Sequence, residues 1–451
     1  MSVPRELAVT SQVVELPKEP TGDQFEHLAA ALLAVGGFFV EKNIHERVER
    51  RDLQELDVCA WRWQDNGPQR LVVEVKSGAW HKSDLFSILG KRIYLGCDGG
   101  LLVHKKQDDP DPVYSAVIER LRPFEVEAVL LDPMLPDDDL AELIADLCAQ
   151  PSDAVNERVS VLHSLPAWRY SFWIEKMLIR ALRAGARDAQ AESCRGEVKS
   201  LLELIHNRFF ISDCREQSLL LWQHYQDHPK ATRRLINELL ESGDHEELNG
   251  CSKNNAYAKC VFDGELPLVQ ACLYLESWSR CLILRAAVEM ALLRETGQLP
   301  DADTRGFSLD DILPEYFDDF AQFVKSIECA ERLPQLWQAY IFAWGGFLIE
   351  ESAEAEELAL ARDVGMPLES VRKGLQAFDY LFPGLQGGWH STIRDTGLRV
   401  LKVVPSPFRG LGVQRRRWMQ GDEVFRQLPQ KGGEDCVKWS NSAIRILTGD
   451  H

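Results

Sequence analysis

The stretch LQELDVCAWRWQDNGPQRLVVEVK, residues 53–76, decides the fold. Leu53–Trp63 alternates across two faces, and Leu71–Val75 is a β-branched run, so both read as strands. Asp65-Asn66-Gly67-Pro68 between them is turn chemistry, which predicts a hairpin. Residues two apart on a strand share a face. Glu74 and Lys76 therefore project together, and Val73 and Val75 point the other way. Antiparallel pairing brings Asp57 beside Glu74.

Outward from the hairpin, the pattern is one of alternating helices and strands. Thr21 and Gln24 have capping-box spacing and open a helix on Phe25, Leu28, Ala29, Leu32 and Leu33, closed by Gly36-Gly37. Phe38-Phe39-Val40 begins a strand. Ser83–Leu95 reads as a helix, Leu101–Val103 as a strand, Asp111–Leu121 as a helix and Val126–Leu131 as a strand. The order α-β-β-β-α-β-α-β predicts an α/β domain over residues 21–135, a mixed sheet flanked by helices, after a 1–20 extension.

Two carboxylates side by side repel, and a hard divalent cation relieves this. Mg²⁺ takes oxygen ligands and keeps several waters. Such an ion activates a water and offsets charge on a phosphodiester, and Lys76 can orient that water. Glu26, on the first helix, adds a carboxylate if that helix packs near the strand ends. Helix-borne Glu26, then Glu55-Leu56-Asp57-Val58, then Val73-Glu74-Val75-Lys76-Ser77-Gly78 resembles the PD-(D/E)xK nucleases. The nearest flavours are the Mrr-like restriction endonucleases and the archaeal-type Holliday junction resolvases. Leu56 stands where the motif's name has proline. The resemblance implies a restriction-endonuclease-like fold and Mg²⁺- or Mn²⁺-dependent hydrolysis of DNA in genome defence or repair. It implies catalytic roles for Glu26, Asp57, Glu74 and Lys76, with metal held by Asp57, Glu74, the Val75 carbonyl and Glu26. Two alternatives stay open: a non-catalytic binding or regulatory protein on the same scaffold, and an RNA-directed nuclease. A second E-x-K triplet, Glu197-Val198-Lys199, opens a helical pattern with no carboxylate strand before it, and reads as a solvated helix turn.

Basic side chains near the triplet, Lys82, Lys91 and Arg92, are candidates for phosphate contact. From Pro136 on, amphipathic stretches such as Ser171–Arg187, Arg195–Phe209 and Leu268–Arg294 predict a helical domain over 136–350. This domain is expected to sense a trigger, form a homo-oligomer or bind a regulatory protein partner. Within a 351–451 segment, Leu358, Ala361 and Val364, the turn Gly365-Met366-Pro367, and Leu368, Val371, Leu375 and Phe378 have helix-turn-helix spacing. With Leu398–Val404 and Gly412–Val413 as wing strands, this resembles a winged helix. Arg372, Lys373, Arg394 and Arg399 would then meet phosphates. The run Arg415-Arg416-Arg417-Trp418 has three open readings: a grip on a backbone, a solvated run, or a contact with the acidic middle.

The 451 residues carry 51 basic and 70 acidic side chains. The net charge is −5 over residues 21–135, −18 over 136–383 and +5 over 384–451. Bulk attraction to nucleic acid is therefore weak, and any polyanion site is local. The 11 cysteines include no C-x-x-C pair, which fits reduced thiols in a cytoplasmic protein. The apolar runs Ala29–Val40 and Ala339–Ile349 fall short of the ~20 residues a membrane helix needs, so no membrane partner is expected. A P-loop, a G-x-S-x-G elbow and an H-E-x-x-H helix are all missing, which excludes those chemistries.

Overall fold

A computed structural model describes residues 19–48, 51–64, 67–106, 112–148, 155–185, 267–298, 317–349, 353–381, 390–393 and 398–401, with Arg415 and Met419. The elements are α1 (Asp23–Val35), β1 (Phe39–Val48), β2 (Arg51–Gln64), β3 (Gly67–Lys76), α2 (Lys82–Leu95), β4 (Gly99–Lys105), α3 (Pro112–Leu121), β5 (Val126–Leu131), α4 (Asp137–Leu147), α5 (Val155–Gly185) and α6 (Pro267–Glu295). There follow α7 (Phe317–Lys325), α8 (Leu333–Gln338, continued by a wider turn through Ala343), β6 (Phe347–Ile349), α9 (Ala353–Val364), α10 (Leu368–Leu381), β7 (His390–Ile393) and β8 (Leu398–Leu401).

The five N-terminal strands form one sheet in the order β1-β2-β3-β4-β5. β1, β2 and β3 are antiparallel neighbours, and β3, β4 and β5 run parallel through the crossover helices α2 and α3. The expected mixed sheet is therefore present. α2 and α3 cover one face with Leu85, Ile88 and Leu121 against Val72, Cys59 and Leu102. α1, α4 and α5 cover the other face, against Val58, Ala60, Val73, Val75, Leu101 and Val103. α1 is apolar nearly all round, AAALLAV in its second half, because it lies between the sheet and α5 and is buried on both sides.

Two local expectations are corrected. The Thr21–Gln24 capping box does not form. The cap position is Gly22, with φ 50° and ψ −128°, a conformation open to glycine. Its N–H donates to Ser77 Oγ at 2.9 Å, which ties the start of α1 to the end of β3. The helix expected at Ser171 begins instead at Val155 and runs through Pro166. A mid-helix proline costs about 3 kcal/mol; burial of Leu165, Ala167 and Trp168 beside it offsets that cost.

β1 is an edge strand, and the helical region closes it. The Gln338 amide accepts from the Val40 N–H at 2.9 Å and donates to the Val40 carbonyl at 2.7 Å, as a neighbouring strand would. α6 lies along the cross-strand row Phe39↔Trp61↔Arg70. Trp278 stacks on Phe39 with centroids 5.7 Å apart, Arg285 lies over Trp61, and Glu289 takes the Arg70 guanidinium at 2.8 Å.

Further on, β6, β8 and β7 make a three-stranded antiparallel sheet in that order, with α9 and α10 joined by Gly365 at φ 63°. β8 pairs with β6 and with β7 at His390–Ile393, while the expected strand at Gly412–Val413 lies outside the described residues. Leu358 is exposed, and the buried positions of α9 are Ala353, Glu356, Glu357, Ala359, Leu360, Ala361 and Val364. Among the described residues, no helix is long and apolar enough to cross a membrane. Glu197-Val198-Lys199, the helix expected at Arg195–Phe209, Arg394 and Arg416-Arg417-Trp418 also lie outside the described residues.

Candidate active site

The site forms where β2 and β3 part. Their ladder ends at the pair Val58↔Val73, so the next step places Asp57 opposite Glu74. The Val75 N–H, left without a strand partner there, donates to Asp57 Oδ2 at 2.8 Å. On its other side, Asp57 stands in register with Asn43 of β1, between the pairs Lys42↔Val58 and Ile44↔Leu56. Asn43 has φ 50°, a left-handed conformation that asparagine tolerates. Ile44 and Leu56 pack on the α2 face, whereas Val58 packs on the α1 face, so the ribbon turns over at this pair. Asp57 sits on that twist, which lets it meet groups from both sides of the sheet.

Glu74 and Lys76 project together, as the strand period requires. Lys76 Nζ reaches Glu74 Oε1 at 2.7 Å. Lys91, on α2, reaches the other oxygen, Oε2, at 2.5 Å and donates to the Glu55 carbonyl at 2.9 Å. Glu74 is 7% exposed. Burial alone would raise its carboxyl, but the Lys91 and Lys76 ammoniums outweigh burial and hold it below the ordinary value. Burial likewise opposes the charge on Lys76, and its contact with Glu74 overcomes this and raises it.

The other two carboxyls are left in a worse position. Burial and the neighbouring Glu74 push Asp57 up to about 6, against the Val75 N–H that lowers it. Burial and Asp57 push Glu26 up to about 7. Glu26, in the first turn of α1, thus senses Asp57 across the strand ends, as expected from the sequence.

A buried lysine that the sequence reading missed completes the group. Lys42, on β1, is 5% exposed; burial lowers it to about 8, while Glu175, Glu26 and Asp57 favour its charge. It hydrogen-bonds His27 Nδ1 and lies over the Phe172 ring at 5.0 Å. Burial and Lys42 hold His27 down to about 2, so the ring is neutral at ordinary pH. Glu175, from α5, accepts from Tyr274 Oη of α6 at 2.7 Å. Lys42 could not be found from the sequence because Glu41-Lys42-Asn43 looks like a solvated strand end.

The donor set is the buried Glu74 and the half-buried Asp57 on adjacent strands, with Glu26 close enough to feel Asp57. Among the described residues, no group of three or more His, Cys, Asp or Glu side chains gathers tightly enough to hold a metal ion. Mg²⁺ needs only one or two carboxylates, with waters filling the remaining positions. Asp57 and Glu74 supply that number of carboxylates, and the Asp57 carboxyl is raised first by burial and then by Glu74.

The expected phosphate contacts fare unevenly. Lys82 is exposed at the first position of α2. Lys91 belongs to the carboxylate group, and Arg92 donates to the Asp98 carbonyl at 3.2 and 3.1 Å. Arg372, on α10, pairs with Glu357 at 2.8 Å, and Lys373 donates to the Ser326 carbonyl at 3.4 Å. Arg399 lies on β8, the central strand of its sheet. Arg415, fully buried, pairs with Asp363 and lies over Trp344 at 4.5 Å. It anchors the chain and is closed to a phosphate.

Compared with protein-family models, curated proteins and solved structures, the chain has no match.

Proposed function

We propose that this chain is a divalent-metal-dependent nuclease of PD-(D/E)xK type that hydrolyses phosphodiester bonds in DNA. The observation that carries the reading is the parted end of β2 and β3, where Asp57 faces Glu74, Lys76 rests on Glu74, and Glu26 arrives from α1. Asp57, Glu74 and the Val75 carbonyl would hold Mg²⁺ or Mn²⁺, with Glu26 in support. A bound cation supplies an activated water and offsets phosphodiester charge. Lys76 orients that water and meets the developing negative charge. Ser77, through the Gly22 N–H, holds the helix that carries Glu26.

β6, α9, α10, β7 and β8 are read as a winged helix, on the strength of the strand order β6-β8-β7 around two helices. The ion pairs of Arg372 with Glu357 and Glu354 favour a role for that module in protein contact over a grip on duplex phosphates.

One observation favours a second reading, a nuclease-like scaffold without catalysis: both Glu74 oxygens carry an ammonium. Cleavage separates the two readings. Wild type and Lys76→Ala are incubated with plasmid, single-stranded DNA and RNA, each with Mg²⁺, Mn²⁺ or EDTA. The nuclease reading expects metal-dependent DNA cleavage by wild type alone. Cleavage of RNA alone reassigns the substrate. An absence of cleavage on every substrate supports the scaffold.

A further inference from the structure

The Lys91 ammonium stands where the strands that bear the two carboxylates separate. Its carbon stem crosses from α2, and its Nζ donates to the Glu55 carbonyl on β2 at 2.9 Å and to Glu74 Oε2 on β3 at 2.5 Å. It therefore bridges β2 and β3 beyond their last ladder pair, Val58↔Val73. The side chain is 15% exposed, so solvent screens little of its charge. Lys76 already takes Glu74 Oε1 at 2.7 Å. A strand needs no second lysine for pairing, and a surface helix gains little by turning one inward. What Lys91 does supply is a positive charge beside Glu74 and Asp57.

We propose that Lys91 is a resident counter-ion of the site, competing with the divalent cation for Glu74. This inference rests on the nuclease reading. With no metal bound, Lys91 keeps the carboxylates compatible with a folded strand end. When a cation arrives, an ammonium and a divalent ion cannot both use Glu74 Oε2, so Lys91 must release it. Its four-carbon stem allows the swing, and the Glu55 carbonyl remains within reach as a second holding point. Lys91 is a positioning residue that sets the metal concentration at which the site fills.

The test is calorimetric titration of Mn²⁺ into wild type, Lys91→Met, Lys91→Arg and Asp57→Asn, with melting temperatures in EDTA and in Mn²⁺. Loss of one charge-assisted hydrogen bond to Glu74 corresponds to about 10- to 100-fold tighter Mn²⁺ binding in Lys91→Met. That variant melts below wild type in EDTA, and saturating Mn²⁺ closes the difference. Lys91→Arg, which keeps the charge and grips a carboxylate with a planar fork, binds Mn²⁺ more weakly than wild type. If Lys91→Met does not fold, the arginine variant decides alone: Mn²⁺ affinity equal to or above wild type overturns the proposal. Equal or weaker binding by a folded Lys91→Met, with Asp57→Asn still abolishing it, also overturns the proposal and leaves the nuclease reading standing. No Mn²⁺ binding by wild type removes both.

Discussion

The two ends of β1–β3 use the same strands for opposite purposes. At the Phe39↔Trp61↔Arg70 row, the charges are paired: Glu289 accepts from Arg70 at 2.8 Å and from Arg285 at 2.9 Å, beneath a Trp278–Phe39 stack. Four residues further along β1, at the Asn43–Asp57 position, the charges do not close. Glu26 is pushed up to about 7 and Asp57 to about 6, although Lys42, Lys76 and Lys91 are nearby. The first end spends its side chains on stability. The second holds acids in an environment that disfavours their charge, which makes it the functional-site candidate of the two.

Variants at the two ends should therefore separate stability from chemistry. Phe39→Ala removes a fully buried ring and its stack, and should cost about 3–5 kcal/mol in denaturant unfolding. Mn²⁺ affinity of the folded fraction should not change. Asp57→Asn should do the reverse. Cleavage should fall about 10³-fold, the equivalent of several kcal/mol of lost charge stabilisation, while the melting temperature stays level or rises. A large stability loss in Asp57→Asn would erase the contrast.

Glu26→Gln gives a smaller effect with a distinct pH signature. A carboxyl raised from 4.5 to about 7 binds protons in the folded state that the unfolded chain has already lost, so its contribution to stability falls as pH rises from about 4.5 to 7. At 1.36 kcal/mol per pH unit this is at most about 3 kcal/mol, and solvent screening of a partly exposed group reduces it to about 1–2. In EDTA, Glu26→Gln should melt above wild type at pH 8, and the gain should vanish by pH 4, where both are uncharged. A gain that persists at pH 4 would mean that packing, not charge, is responsible. The smallest effect concerns phosphate contact. Lys82→Ala should reduce the salt slope of DNA binding by about 1, whereas Arg372→Ala, whose guanidinium is held by Glu357, should leave that slope unchanged.

Much of this contrast was legible in the sequence. The order of the first eight elements, the 53–76 hairpin and the shared face of Glu74 and Lys76 follow from period and turn chemistry, and Val126–Leu131 matches its strand at both ends. Local rules failed where tertiary contacts decided the outcome. Pro166 continues a helix because its neighbours are buried. Gly22, not Thr21, caps α1 because Ser77, 55 residues away, takes its N–H. At the site, the carboxylates were legible because each sits in a strand or helix of clear period. Lys42 and the inward turn of Lys91 were not, because charge on a strand or helix carries no sign of which side it faces. The overturn at Asn43 and Asp57 had no signal beyond asparagine's tolerance of positive φ.

The most direct test of the account is the position of the cation itself. Crystals grown with Mn²⁺ should show, by anomalous scattering, one peak between the Asp57 and Glu74 carboxylates beside the Val75 carbonyl, with Lys91 Nζ withdrawn from Glu74. Crystals in saturating Mn²⁺ with no peak there, and with Lys91 still on Glu74, would contradict it.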